Sequence, residues 1–222
     1  VIDMILYTPM AYLKNFNPVY QAKGLSRLAA WEERRVGVHD LWDEISQKEF
    51  NAKYLGTPHS IISFRIYSNK KVEQLDDLKG LRIRAQPLYS AFLKKVGAHP
   101  VIMPPTEVYT AMQRGVVDGF MFSSDFEFPD WGWHEVTEYK ISPGVFQLEN
   151  GMFMNLDKYK SLPEDVQETL EHCVEIFEGI DTVRVLESRE RAWEIMQEEG
   201  MKEIVLPEKD AQKLKETAYK AT

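Results

Sequence analysis

The chain has almost no cysteine: Cys173 stands alone among 222 residues. A lone thiol cannot close an internal disulfide, so cysteine usage leaves the redox compartment open. Long hydrophobic runs are missing as well, and none approaches the roughly 18 residues that a membrane-crossing helix needs. Positive charge is in deficit, with 27 Lys and Arg against 35 Asp and Glu and a net charge of −8. That balance argues against nucleic acid, whose phosphates demand a basic surface. The five histidines are scattered, without metal-ligand spacing. There is no G-x-S-x-G elbow, no phosphate-cradling glycine loop and no dinucleotide fingerprint. These absences weaken the case for an enzyme without closing it, since catalytic groups can be dispersed along a chain. Asp125, Glu127 and Asp130 lack the spacing of a calcium loop and read as a solvated acidic loop. Internal repeats and low-complexity tracts are absent. Val1 opens directly on the apolar run VIDMILY.

What is present can build a core. The chain is 44% hydrophobic and 28% charged, enough for one or two domains. Residues 1–7 read as a buried strand, and 25–56 as helix in two parts broken near Gly37, with Leu41, Trp42, Ile45 and Phe50 on one face. The β-branched and aromatic run 60–69 reads as a strand. Residues 77–122 then alternate strand, helix, strand, helix, strand, which predicts parallel strands with right-handed crossovers. In that stretch Gly97 and Gly115 stop the helices, and Thr106 is placed to cap the second one. A strand follows at 151–156. Ser161 to Glu164 has the form of a capping box with proline in the first turn. The helical pattern beyond it continues to about Glu199, on the order of 55 Å. No sustained heptad repeat marks it as a coiled coil.

Three runs occur in fixed order with short spacings. They are D-L-K-G-L-R-I-R (Asp77 to Arg84), G-A-x-P-V-x-M-P (Gly97 to Pro104) and E-V-Y-T-A-M-Q-R-G-V-V-D-G (Glu107 to Gly119). Together they closely resemble the solute-binding subunit of tripartite ATP-independent periplasmic (TRAP) transporters, of the dicarboxylate-binding type. The resemblance implies an α/β, two-lobed fold with discontinuous lobes and a long helix bridging them. Lobe one would hold 1–62 and 150–188, and lobe two 63–149 and 189–222. By the same comparison the chain reads as an internal fragment, without the first strands and last helices of a full member. The implied function is capture of a small organic carboxylate in the periplasm and its delivery to a TRAP membrane permease. The implied protein is a monomer, without catalysis, cofactor or metal. The alternatives are a ligand-sensing subunit of a signalling receptor, or an enzyme on a similar scaffold.

Arg84 leads the candidate site residues. In the strand L-R-I-R, Leu81 and Ile83 face one way and Arg82 and Arg84 the other. Composition alone would leave Arg84 on a solvated face, whereas the resemblance gives it a two-pronged salt bridge to the ligand carboxylate, chemistry suited to a planar guanidinium. Phe122, with Met121, falls where relatives carry a second ligand contact, and the lack of an acid there removes one ligand of a metal site known in one branch. Counting back from Ser68-Asn69 puts Phe64 at another contact position, with Arg65 one residue off and on the other face. Tyr7, Thr8, Gln86 and Asn150 are further lining candidates. Trp131 would form an apolar wall for the far end of the ligand, within a cluster that includes Trp133 and His134. A pocket with these residues should be more apolar than one that binds sugar acids.

Overall fold

The computed structural model describes residues 3–7, 23–148 and 150–221. In chain order the first elements are β1 (Met4–Tyr7), α1 (Ala30–Arg35), α2 (Val38–Phe50) and β2 (Ala52–Gly56). Next come β3 (Arg65–Ser68), β4 (Arg82–Ala85), α3 (Ser90–Lys95), β5 (His99–Ile102), α4 (Val108–Gln113) and β6 (Gly119–Phe122). The chain continues through α5 (Phe128–Trp131), β7 (Tyr139–Ser142), β8 (Gly151–Asn155), α6 (Leu156–Lys160), α7 (Glu164–Glu198), β9 (Lys202–Val205) and α8 (Glu208–Tyr219). Two compact units result: Val1–Ile62 with Gln147–Leu186, and Ser63–Phe146 with Glu187–Thr222. The helix α7 contributes its residues up to Leu186 to the first unit and the remainder to the second.

The first unit carries an antiparallel sheet of order β1-β8-β2. Trp42, Tyr54 and Phe153 form one buried cluster on it, and Leu55, Met154 and Val174 another. The helical reading of 25–56 fails at its end, because β2 occupies Ala52–Gly56. Asn51 takes a left-handed conformation (φ 51°) and stops α2, after which Tyr54 pairs with Phe153 and buries its ring. Local periodicity does not see this strand, because its partner lies about a hundred residues away.

The second unit is built on a mixed sheet of order β5-β4-β6-β3-β7-β9. Strand β4 runs parallel to β5 and β6, as the alternating pattern predicts, and β7 runs parallel to β9. Strand β3 is antiparallel to both β6 and β7, and is shorter than the run 60–69. Ile66, Ile83, Met121 and Ile141 share one face of this sheet, and Phe92 and Leu214 come together with Ile66 and Ile141 there. The register aligns Val101, Arg84, Phe120, Tyr67 and Lys140 across the other face. There Val108, Ala111 and Met112 of α4, together with Phe128, Trp133, Ala192 and Met196, complete the core.

Two predicted caps take other forms. The Ser161 hydroxyl donates to Lys158 O (2.7 Å), so it closes α6 and does not cap α7. Thr106 lies inside a 3₁₀ turn (Pro105–Glu107), and Glu107 stands at the N-cap of α4.

Helix α7 is unbroken across Gly179. A methyl group added at Gly179 would meet nothing within 4 Å. Glycine costs about 1 kcal/mol relative to alanine in an exposed helix interior. Gly179→Ala should therefore raise the melting temperature by about 2–4 °C for a chain of this size. A fall in calorimetry would show that the helix needs flexibility at this point.

Candidate functional site

Arg84 owes its position to the parallel part of the second sheet. It is the penultimate residue of β4, flanked by the buried Ile83 and Ala85, and is itself only 1% exposed. The carboxyl ends of β4, β5 and β6 lie on one edge of the sheet, where open α/β sheets bind their ligands. Met103, just past β5, turns its carbonyl to accept from Arg84 Nε at 3.0 Å. Phe122, the last residue of β6, places its ring 5.8 Å from the guanidinium carbon. Nη1 is buried and has no hydrogen-bond partner among the described residues. No carboxylate among them pairs with Arg84 either, and burial pushes its pKa down to about 10. The group therefore stays charged at neutral pH, desolvated and short of an anion.

Because β3 runs antiparallel to β6, its first residue, Arg65, comes to the same edge and stands opposite Phe122. Arg65 Nε and Nη1 are also buried without hydrogen-bond partners. Its nearest carboxylate is Asp125, with Oδ2 3.9 Å from Nη1. Asp125 is itself held firmly: Arg189 Nε and Nη2 donate to it at 2.8 and 3.2 Å, and the Tyr67 hydroxyl at 3.1 Å. Burial, and then the Asp125 charge, raise the Tyr67 pKa well above its usual value. Lys140 lies over the Trp193 ring and 3.4 Å from Glu203, its pKa lowered by burial. Three cations (Arg65, Arg189 and Lys140) thus meet two carboxylates, Asp125 and Glu203, while Arg84 meets none, and the excess is positive.

Beyond Phe122 the edge becomes aromatic. Its ring is 5.7 Å from Trp131 and 5.1 Å from Trp133, and those two lie 4.9 Å apart. Trp131 and Trp133, with Pro105, Thr106 and Tyr109, line a pocket of about 420 Å³. At the opposite edge, a pocket of about 500 Å³ is lined by Asn69, Gln113, Glu135, Glu138 and Glu199 among others.

The sequence model of the bacterial extracellular solute-binding proteins, family 7 (DctP), matches residues 17–222. The chain belongs to this family. It is a family of substrate-binding proteins, not of enzymes. Among solved structures the chain is similar to the TRAP periplasmic solute-binding protein of Desulfovibrio salexigens with bound orotic acid. The TM-score is 0.84 at 22% identity, over 99% of this chain and 72% of that one. This likeness gives the two-lobed α/β fold of TRAP solute-binding proteins. An uncharacterized protein of Haemophilus influenzae is 29% identical over 188 residues, 79% of this chain and 54% of the relative. The C4-dicarboxylate-binding periplasmic protein DctP of Rhodobacter capsulatus is 29% identical over 144 residues, 64% of this chain and 43% of the relative. The family 7 chain thus spans about half the length of these relatives. No helix among the described residues is long and apolar enough to cross a membrane.

In this family 7 chain, Arg84, Phe122 and Trp131 come together in the second unit, and Gln86 lies two residues past Arg84, half-buried. Phe64 does not join them. It precedes β3 and packs on Tyr89 at 4.6 Å, while the strand register gives Arg84's face to Arg65, so the expected order of the two residues is reversed. Tyr7 pairs with Gly151 through its backbone, and Asn150 adjoins β8; both belong to the first unit. Thr8 lies outside the described residues. Asp125 corrects another expectation: it is 4% exposed and paired with Arg189, not part of a solvated loop. Nothing local marks that pairing, because its partner is 64 residues away.

A buried guanidinium without a counter-charge should weaken the ligand-free fold. Arg84→Met should raise stability at neutral pH by about 1 kcal/mol or more, as an apolar side chain of similar length replaces the uncompensated charge. The sign with pH follows from the lowered pKa. Above about pH 10 the unfolded chain holds a proton that the folded chain has lost, so the Arg84 penalty fades as pH rises and the mutant's advantage shrinks. A destabilised Arg84→Met in denaturant titrations would mean that the guanidinium is already satisfied.

Proposed function

We propose that this chain captures a small organic carboxylate outside the cytoplasm and hands it unchanged to a TRAP-type membrane permease. One observation carries this reading: a charged guanidinium, Arg84, is buried at the carboxyl edge of the parallel strands of a mixed sheet, with no carboxylate among the described residues to balance it. A ligand carboxylate supplies the missing charge and two acceptor oxygens for the guanidinium fork. Arg65 offers further buried N–H donors to a second ligand oxygen, restrained by Asp125. The relatives support the class of ligand: the Rhodobacter protein is named for C4-dicarboxylates, and the Desulfovibrio protein holds orotic acid. The protein would act in the periplasm as a monomer, without cofactor or metal.

A thermal-shift screen tests the reading, because a ligand that binds only the native state raises its melting temperature. Organic acids should raise it, and neutral sugars and amines should not. Arg84→Ala should cost about 3–5 kcal/mol of binding by titration calorimetry, and Arg84→Lys should recover only part, keeping the charge without the fork. Mass spectrometry should return the bound acid unchanged. Shifts given by amines alone, unaltered affinity in Arg84→Ala or a chemically changed ligand would each reject the proposal.

A further inference from the structure

We infer that the pocket bounded by Pro105, Thr106, Tyr109, Trp131 and Trp133 takes the apolar body of the acid whose carboxylate Arg84 holds. The preferred substrate is then a carboxylate bearing an aryl or branched aliphatic group. This rests on the carboxylate-capture reading above and names its substrate class.

A chain of ring contacts links the pocket to the guanidinium. Phe122 connects them, 5.8 Å from the Arg84 guanidinium on one side and 5.7 Å from the Trp131 ring on the other. Both ends lie at the carboxyl edge of the same strands, Arg84 on β4 and Pro105 just beyond β5. Trp131 is 38% exposed, although its neighbour Trp133 is buried. An indole left open one ring away from a desolvated cation matches an amphipathic ligand, with a charged head and a flat apolar body.

The pocket wall has little to offer a polyol. The Tyr109 hydroxyl already donates to Glu135 at 2.8 Å, which leaves Thr106 as the one uncommitted side-chain hydroxyl among the lining residues. Sugar hydroxyls placed there would lose water without gaining partners. A volume of about 420 Å³ admits a single or fused ring. The pocket at the other edge is a poor alternative for an anion, because Glu135, Glu138 and Glu199 line it.

Calorimetry with pyruvate, phenylpyruvate and succinate tests the inference, since the first two differ by a phenyl ring alone. Phenylpyruvate should bind roughly tenfold or more tightly than pyruvate, the effect of burying one ring. Trp131→Ala should remove most of that advantage while leaving pyruvate within about twofold, and Trp131→Phe should keep it. Pyruvate binding thereby also reports that the variants are folded. If succinate or pyruvate equals phenylpyruvate in affinity, or if Trp131→Ala weakens all three alike, the aromatic subsite is wrong while carboxylate capture stands. If none of the three binds, or if binding survives Arg84→Ala, the capture reading falls and this inference with it.

Discussion

The second unit is organised around one unbalanced charge. Arg84 lies between the parallel neighbours β5 and β6, with its side chain on a face otherwise occupied by Phe120, Tyr67 and Val101. Such a position costs free energy unless an anion shares it. The protein supplies one carbonyl, from Met103, and a ring face, from Phe122. Both are neutral, so they orient the guanidinium without discharging it. On the proposed reading such a site is pre-organised for a carboxylate, because its geometry is set before the ligand arrives.

Nearby, the same kind of side chain is fully partnered. Arg189 meets Asp125 through two donors, and the Tyr67 hydroxyl occupies a further acceptor position. This network ties the segment after β6 to the last part of α7. It thereby holds the chain that carries Phe128, Trp131 and Trp133 against the sheet. Arg65 stands between these two conditions, 3.9 Å from an Asp125 whose oxygens are already engaged. The contrast between Arg189 and Arg84 separates a structural cation from one left available.

In the first unit, the constraint comes from two buried carboxylates on α7. Glu178 accepts from Thr57 N at 2.6 Å and from Arg34 Nε at 2.7 Å, and Asp181 accepts from His59 N at 2.8 Å. They hold a segment in which His59 and Ile61 are left-handed, at φ 58° and 63°. For a β-branched residue such as Ile61 this conformation costs on the order of 1–2 kcal/mol, so it persists only where contacts over-determine it. Gly56 fits the same arrangement, since a side chain there would overlap Glu178. One helix therefore shapes the chain just before it leaves this unit.

Much of the second unit was legible in the sequence because its signals are local. Gly97 and Gly115 adopt left-handed conformations that end α3 and α4, and the alternation L-R-I-R assigns Arg84 to a face. The three blocks between Asp77 and Gly119 together carry the resemblance to the family, and with it the role expected of that arginine. What required tertiary structure depends on partners distant in sequence. On a four-residue strand, a shift of one residue exchanges faces, so only pairing with β6 decides between Phe64 and Arg65. Strand β2 exists because β8 is there to receive it. Asp125 reads as an exposed acid until Arg189 is brought to it, and the pocket beside Trp131 exists only once α4 and α5 pack together. Propensity and motif are written within a few residues, whereas register, charge balance and enclosed volume are properties of segments that meet only in the folded chain.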